Sequence, residues 1–148
     1  MPKKITDIEA AKLGVNTNHE IMDNGEKRFR LTFNDGSSYI RTEVSLNGSW
    51  QNSHYHTSLQ EIYIVQKGWI VFVEYHKLTG ECIFKRVSEG QFCVSSPKIP
   101  HNVYVSSNST FHTVKFGDLS INDWIKFEQL DTITKPLCEQ DTLDKCKE

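Results

Sequence analysis

The chain has 148 residues, with 37% hydrophobic and 24% charged side chains and a formal net charge of -2. That is enough chain for one domain with a real core, and the balance offers no basic surface for nucleic acid or an anionic membrane. No apolar run approaches the ~18–20 residues of a membrane span, and the opening Met1-Pro-Lys-Lys-Ile-Thr-Asp7 lacks the apolar stretch of a secretory leader. Cys82, Cys93, Cys138 and Cys146 match neither a zinc knuckle nor a Cys-x-x-Cys pair. They read as free thiols of a reduced, cytoplasmic protein rather than as a tail disulfide.

Taken in order, Thr6 to Gly14 predicts a short helix, capped by Thr6 or Asp7 and stopped at Gly14. Asn16 to Gly25 is rich in turn formers. Arg28 to Phe33 alternates, with Phe29, Leu31 and Phe33 on one face and Arg28, Arg30 and Thr32 on the other. Asn34-Asp35-Gly36 signals a hairpin, and Ser38 to Leu46 returns. A strand over Trp50 to His56 follows, then apolar strands over Ile62 to Val65 and Trp69 to Tyr75. Further strands are expected over Cys82 to Val87, Gln91 to Ser95, His101 to Val105 and Phe111 to Phe116. Short strands with a turn every eight to twelve residues indicate an all-β sandwich or barrel. Beyond Gly117, Ile121, Trp124, Ile125 and Phe127 give a partial helical period, with Ser120 or Asn122 as cap. From Pro136 the chain reads as a loose tail in which Leu137 alone is pinned.

The chemistry concentrates between Gly48 and Gly68. On a strand, His54 and His56 point to one face, and a turn at Thr57-Ser58 returns Glu61 beside them. Two imidazoles and a carboxylate on one point suit a divalent metal.

The spacing Gly-x5-His-x-His-x4-Glu-x6-Gly, from Gly48 through His54, His56 and Glu61 to Gly68, resembles the first signature of the cupin superfamily at every fixed position. The second signature is matched loosely. Six residues separate Gly90 from Pro97, Ile99 stands where the family has glycine, and Val105 stands where it has asparagine. Pro100-His101 opening an apolar strand is nonetheless similar to many cupins. The resemblance covers residues 36–117. It implies a jelly-roll barrel (a double-stranded β-helix), preceded by an extension over residues 1–35 and followed by a C-terminal segment over 118–148. It implies one divalent transition metal per chain (Fe, Mn, Ni, Co or Zn), held by His54, His56, Glu61 and His101, and a homodimer.

Four protein ligands leave one or two positions open on such an ion. Around it, alternation places Trp50 and Asn52 on the face of the histidines, as candidate substrate-binding residues. Tyr63 and Val65 share the face of Glu61, which makes Tyr63 a candidate catalytic residue or pocket wall. His112 on the last long strand is a candidate acid or base, with Lys115 as a nearby charge. Arg41 is a candidate clamp for a substrate carboxylate or phosphate, or else an exposed ion-pair partner. His19 and His76 fall in turns. Three functions fit a small-molecule ligand: an Fe- or Mn-type dioxygenase-like oxidoreductase, a sugar or keto-acid isomerase or epimerase, and a non-catalytic ligand-binding module. The first uses the complete ligand set most fully. No nucleic-acid or membrane partner is expected.

Overall fold

The computed structural model describes residues 1–117 and 123–146. Helix α1 (Asp7–Lys12) opens the chain; the Thr6 side chain accepts from the Glu9 backbone and Glu9 reaches back to the Thr6 N–H, a capping box that fixes its start. Strands β1 (Val15–Ile21), β2 (Lys27–Phe33), β3 (Ser38–Glu43), β4 (Ser49–Trp50), β5 (His54–Tyr55), β6 (Leu59–Lys67), β7 (Trp69–His76), β8 (Glu81–Ser88), β9 (Phe92–Val94), β10 (His101–Val105), β11 (Thr110–Gly117) and β12 (Ile125–Lys126) follow. Helices α2 (Glu128–Thr134) and α3 (Glu139–Asp144) close the described chain.

Two antiparallel sheets face each other. One runs β1-β2-β3-β11-β6-β9 and the other β12-β5-β10-β7-β8, with β4 paired to β10. Between them lies a core of Val44, Tyr63, Val65, Ile70, Phe72, Val87, Cys93, Val103, Val105 and Phe111. A second apolar cluster, Val71, Val73, Tyr75, Phe84, Tyr104 and Leu130, forms on the outer face of the second sheet under the C-terminal helices. Strand β7 is covered on both faces, which is why its sequence is a near-continuous apolar run rather than an alternation.

The two glycines that bracket the His/Glu stretch have steric reasons to be there. A Cβ at Gly48 would lie 2.6 Å from Tyr104 Oη and 2.9 Å from the Val105 carbonyl. Gly68 sits at φ +78° with Ser109 packed against it, a left-handed turn between β6 and β7 that L residues resist.

Four local expectations are corrected. Residues 15–21 form β1 rather than a turn-rich linker, because β2 offers a free edge and seven register pairs from Val15↔Phe33 to Ile21↔Lys27 are made. The strand expected over 50–56 is two short pieces with irregular backbone between them. Of the helical period expected after Gly117, Ile121, Ser120 and Asn122 lie outside the described residues, while Ile125 enters β12 and Phe127 precedes α2. The tail is not loose: Cys138 caps α3, accepting from Asp141 N–H at 3.4 Å, and Leu137, Leu143 and Cys146 pack on the second cluster. All four cysteines are free thiols. Among the described residues no helix is long and apolar enough to cross a membrane.

Candidate metal centre

Strands β5, β6 and β10 deliver one group of side chains to the space between the sheets. His101 stands directly across from His54 in the β10–β5 pairing. Glu61 comes from β6, and His56 follows β5 immediately. The ligand atoms of His54, His56, Glu61 and His101 lie within 4.8 Å of one another, and all four residues are buried. Glu61 Oε1 is 3.2 Å from His54 Nε2, 2.5 Å from His56 Nε2 and 3.2 Å from His101 Nε2. Donors bound to one ion at 2.0–2.1 Å stand about 3–3.4 Å from each other, so the cluster is of metal-site size.

The protonation pattern decides what this group is for. His54 Nδ1–H donates to the Asn52 carbonyl at 3.0 Å, His101 Nδ1–H to the Ile99 carbonyl at 3.2 Å, and His56 Nδ1–H to the Asp123 carbonyl. A carbonyl can only accept, so each ring carries a proton on Nδ1 and turns Nε2 to the centre, the atom a metal would take once it is free of a proton. Burial pushes His54 below the ordinary imidazole range, against the opposing pull of Glu61. Burial works to raise the Glu61 carboxyl, but contacts with His101, His54 and His56 outweigh it and hold it well below the usual range. Three Nε2 atoms and an ionised carboxylate therefore converge on one point, joined by Nε2···Oε1 contacts that a bound ion would replace. This donor set fits a divalent transition ion.

The support around the ligands is as specific as the ligands. Tyr63 Oη–H donates to Glu61 Oε2 at 3.0 Å. Burial first, and then the Glu61 charge, push this phenol well above its ordinary range, so it stays a donor and turns Oε1 to the centre. The Asp123 carboxylate accepts from Thr57 N–H at 2.5 Å, Thr57 Oγ1 at 2.5 Å, and Ser58 and Leu59 N–H at 2.9 Å each. It thus ties down the turn that joins His56 to the strand of Glu61. Burial would raise its carboxyl, yet these bonds hold it far below the usual range. Ser53 N–H and Oγ–H both donate to Asp131 Oδ1, at 2.9 and 2.8 Å, which fastens the start of β5 to α2. Trp124 stacks on His54, ring centroids 5.2 Å apart at 22°.

Several sequence expectations land elsewhere. Trp50 and Asn52 line one opening together with His54, at its outer wall rather than against the ligand cluster. The backbone is irregular over 51–53, alternation does not carry across it, and the Trp50 ring packs edge-on against Tyr104 while Nε1–H donates to the Leu137 carbonyl. Asn52 is exposed, and its side chain accepts from Lys135 Nζ at 2.6 Å; it serves the site through its backbone carbonyl. Arg41 points outward and pairs with Glu43 at 2.6 Å, both half-exposed, so it clamps nothing inside. His112 shares that outer face, with Tyr39 Oη 2.6 Å from Nδ1 and Gln66 Oε1 2.7 Å from Nε2. His19 lies in β1 and His76 ends β7.

Two openings meet at the centre. A small cavity of ≈ 60 Å³ is lined by His54, Glu61, Tyr63, Arg28, Lys115 and Trp124, among others. It shares Arg28, His54, Lys115 and Trp124 with a wider vestibule of ≈ 890 Å³ at the barrel mouth. Arg28, Asp123, Trp124 and Asp131 were not legible as site residues. They come from β2 and a C-terminal segment far away in sequence, with no spacing motif of their own.

No family model matches the chain, and no curated protein matches it. Solved structures do. Oxalate decarboxylase from Bacillus subtilis, in a variant with one tryptophan replaced by tyrosine, superposes with a TM-score of 0.61 at 12% identity, covering 87% of this chain and 37% of that one. A structure addressing the substrate binding mode and reaction specificity switch of oxalate decarboxylase gives 0.61 at 12% identity, with coverages of 89% and 38%. A third, concerned with the Mn(II) centres of the B. subtilis enzyme, gives 0.60 at 12% identity, with coverages of 87% and 37%. The fold is that of a cupin. At this identity the likeness is one of fold, and the chain spans little more than a third of those decarboxylase chains. The cupin barrel accounts for the convergence described above, since β5, β6 and β10 bring their ligands together only when the two sheets close on each other.

Proposed function

We propose that this protein is a metal-dependent oxidoreductase of dioxygenase type acting on a small organic molecule, with His54, His56, Glu61 and His101 holding one divalent ion. The observation that carries this reading is the orientation of the imidazoles. Three backbone carbonyls take the three Nδ1 protons, which turns three Nε2 atoms toward an ionised carboxylate at the bottom of a reachable vestibule. A bound Fe or Mn would supply Lewis-acid and one-electron chemistry there. The chain's own contribution is positioning. Tyr63 fixes Glu61, Asp123 fixes the His56–Glu61 turn, and Trp124 braces the His54 ring by stacking on it.

The isomerase reading loses its proton-transfer groups. His112 faces away from the barrel, and Tyr63 holds its proton too tightly to act as a base. The test is oxygen consumption by iron- or manganese-loaded protein over a panel of diols, β-diketones, thiols and small carboxylates. Substrate-dependent consumption is expected for at least one class; none across the panel, with metal content verified, refutes the oxidoreductase reading and leaves a ligand-binding module.

A homodimer belongs to the same proposal. Phe29, Leu31 and Phe33 form one outward row on β2, 38–40% exposed, and Phe92 on β9 is 62% exposed. A sheet face this apolar favours a second copy of itself. Light scattering is expected to give twice the chain mass, and a Phe29→Lys, Leu31→Lys double variant the single mass.

A further inference from the structure

Strand β2 turns its charged side inward. Phe29, Leu31 and Phe33 face solvent, while Arg28 and Arg30 face the barrel mouth. Arg30 is taken up by Glu20 at 3.0 Å. Arg28 gives Nη2 to the fully buried Glu26 at 2.7 Å, and Gln51 holds the other oxygen of Glu26 at 2.7 Å. The guanidinium is thus anchored at one corner. Its Nε and Nη1 make no hydrogen bond among the described residues, and it lines the small cavity. From the opposite side comes Lys115. It stands directly across from Glu61 in the β11–β6 ladder, so both side chains point to the same face. Lys115 lines both the small cavity and the vestibule, and it has no ion pair or hydrogen bond among the described residues. Thr42 and Thr113 add hydroxyls to the same wall.

A half-buried ammonium without a partner, beside a pre-anchored guanidinium, needs an anion. The charge balance agrees, because a divalent ion and Lys115 together exceed the single carboxylate of Glu61. We infer that Lys115 and Arg28 form an anion subsite that receives the carboxylate of a small carboxylic-acid substrate or ligand next to the metal centre; this rests on the metal-centre reading above. The size of the cavity, ≈ 60 Å³, sets the scale: a few heavy atoms fit between Lys115, Arg28 and the ligand cluster, and anything longer extends into the vestibule. The fork of Arg28 suits a planar carboxylate.

The experiment is calorimetric titration of the full chain, both manganese-loaded and metal-free, with malonate, its neutral diamide and inorganic phosphate. Metal content is measured on every sample. Malonate is expected to bind at least tenfold more tightly than the diamide and than phosphate. Lys115→Gln is expected to weaken malonate about tenfold or more, the scale of one charge-assisted hydrogen bond, while Lys115→Arg restores most of the affinity. Arg28→Gln leaves Glu26 buried without its partner and risks the fold, so the lysine variants carry the test. An unchanged malonate affinity in Lys115→Gln, or a diamide that binds as well as the diacid, overturns the subsite. Phosphate binding as tightly as malonate overturns its assignment to carboxylates. Absence of metal uptake by the unaltered chain is a separate result. It overturns the metal centre, and Lys115-dependent malonate binding in the metal-free protein would still stand.

Discussion

Asp123→Asn isolates the least expected part of the site. The substitution keeps the shape of the side chain, and it keeps the backbone carbonyl that receives the His56 proton. It removes the charge and half of the acceptors. In the native chain one oxygen takes the Thr57 N–H and hydroxyl, and the other takes the Ser58 and Leu59 N–H groups at 2.9 Å each. An amide oxygen can satisfy only one of these sides, and in the better flip its NH2 faces the Thr57 N–H, a backbone donor left without its acceptor. Each lost charge-assisted bond is worth about 1.5–3 kcal/mol. The amide keeps one side of these bonds and the freed donors can relax, so a total of about 2–3 kcal/mol is expected rather than the full sum. With a urea dependence of about 1–3 kcal/mol per molar, the unfolding midpoint should fall by about 1–2 M. Metal affinity should fall with it, because the turn between His56 and Glu61 is no longer held. A midpoint that moves by less than about 0.3 M would show that the Asp123 bonds do not organise this turn.

Other consequences can be checked separately. Burial lifts the Cys93 thiol to about 12, against about 8.5 in an unfolded chain. A group whose pKa is raised on folding stabilises below its unfolded pKa and loses that contribution as pH climbs toward the folded value. Relative to Cys93→Ala, the native chain should therefore lose about 2 kcal/mol between pH 7 and pH 10 in urea titrations; parallel pH profiles would contradict the burial of this thiol. Leu130 is fully buried at the heart of the outer cluster, so Leu130→Ala should cost about 2–5 kcal/mol in thermal or urea unfolding. A change below about 1 kcal/mol would mean that the C-terminal helices are not integral to the fold. Trp124 stacks on His54, whereas Trp69 stacks on Tyr104 and Trp50 meets it edge-on. Addition of Co(II) or Ni(II) should quench native fluorescence, and Trp124→Phe should remove most of that quench. Equal quenching in the variant would place Trp124 away from the ion.

The parts of this protein legible in its sequence are those written in short-range spacing. Alternation in β2, β6 and β11, and the turn signals between strands, specify an all-β chain, because period-2 patterns follow directly from strand geometry. The His54-x-His56 pair and Glu61 are joined by one short turn between the two sheets, so their convergence can be read locally. What resisted reading depends on closure of the barrel. Alternation tells which residues share a face but not which face is inside, and β2 shows the inversion: its apolar row faces out, while Arg28 and Arg30 line the mouth. Alternation also fails where the strand does, as at residues 51–53, which is why Trp50 and Asn52 line the vestibule with His54 but not the small cavity against the ligands. Arg41 and His112 were equally ambiguous, and their placement outside follows from the buried row Ser38, Ile40 and Thr42 on β3. The supports furthest from reach were Asp123 and Asp131. Single acidic residues some 65 to 78 positions from the groups they hold leave no local trace.

The central claim is that His54, His56, Glu61 and His101 together hold one divalent ion. It is tested most directly by elemental analysis of the protein purified without chelators, alongside a His54→Ala, His56→Ala variant shown by circular dichroism to keep its strand content. The native chain is expected to carry close to one transition-metal ion per molecule and the folded variant essentially none. A folded variant that keeps its full metal complement, or a native chain that takes up none when dialysed against Mn(II), Fe(II), Co(II), Ni(II) and Zn(II) in turn, would contradict it.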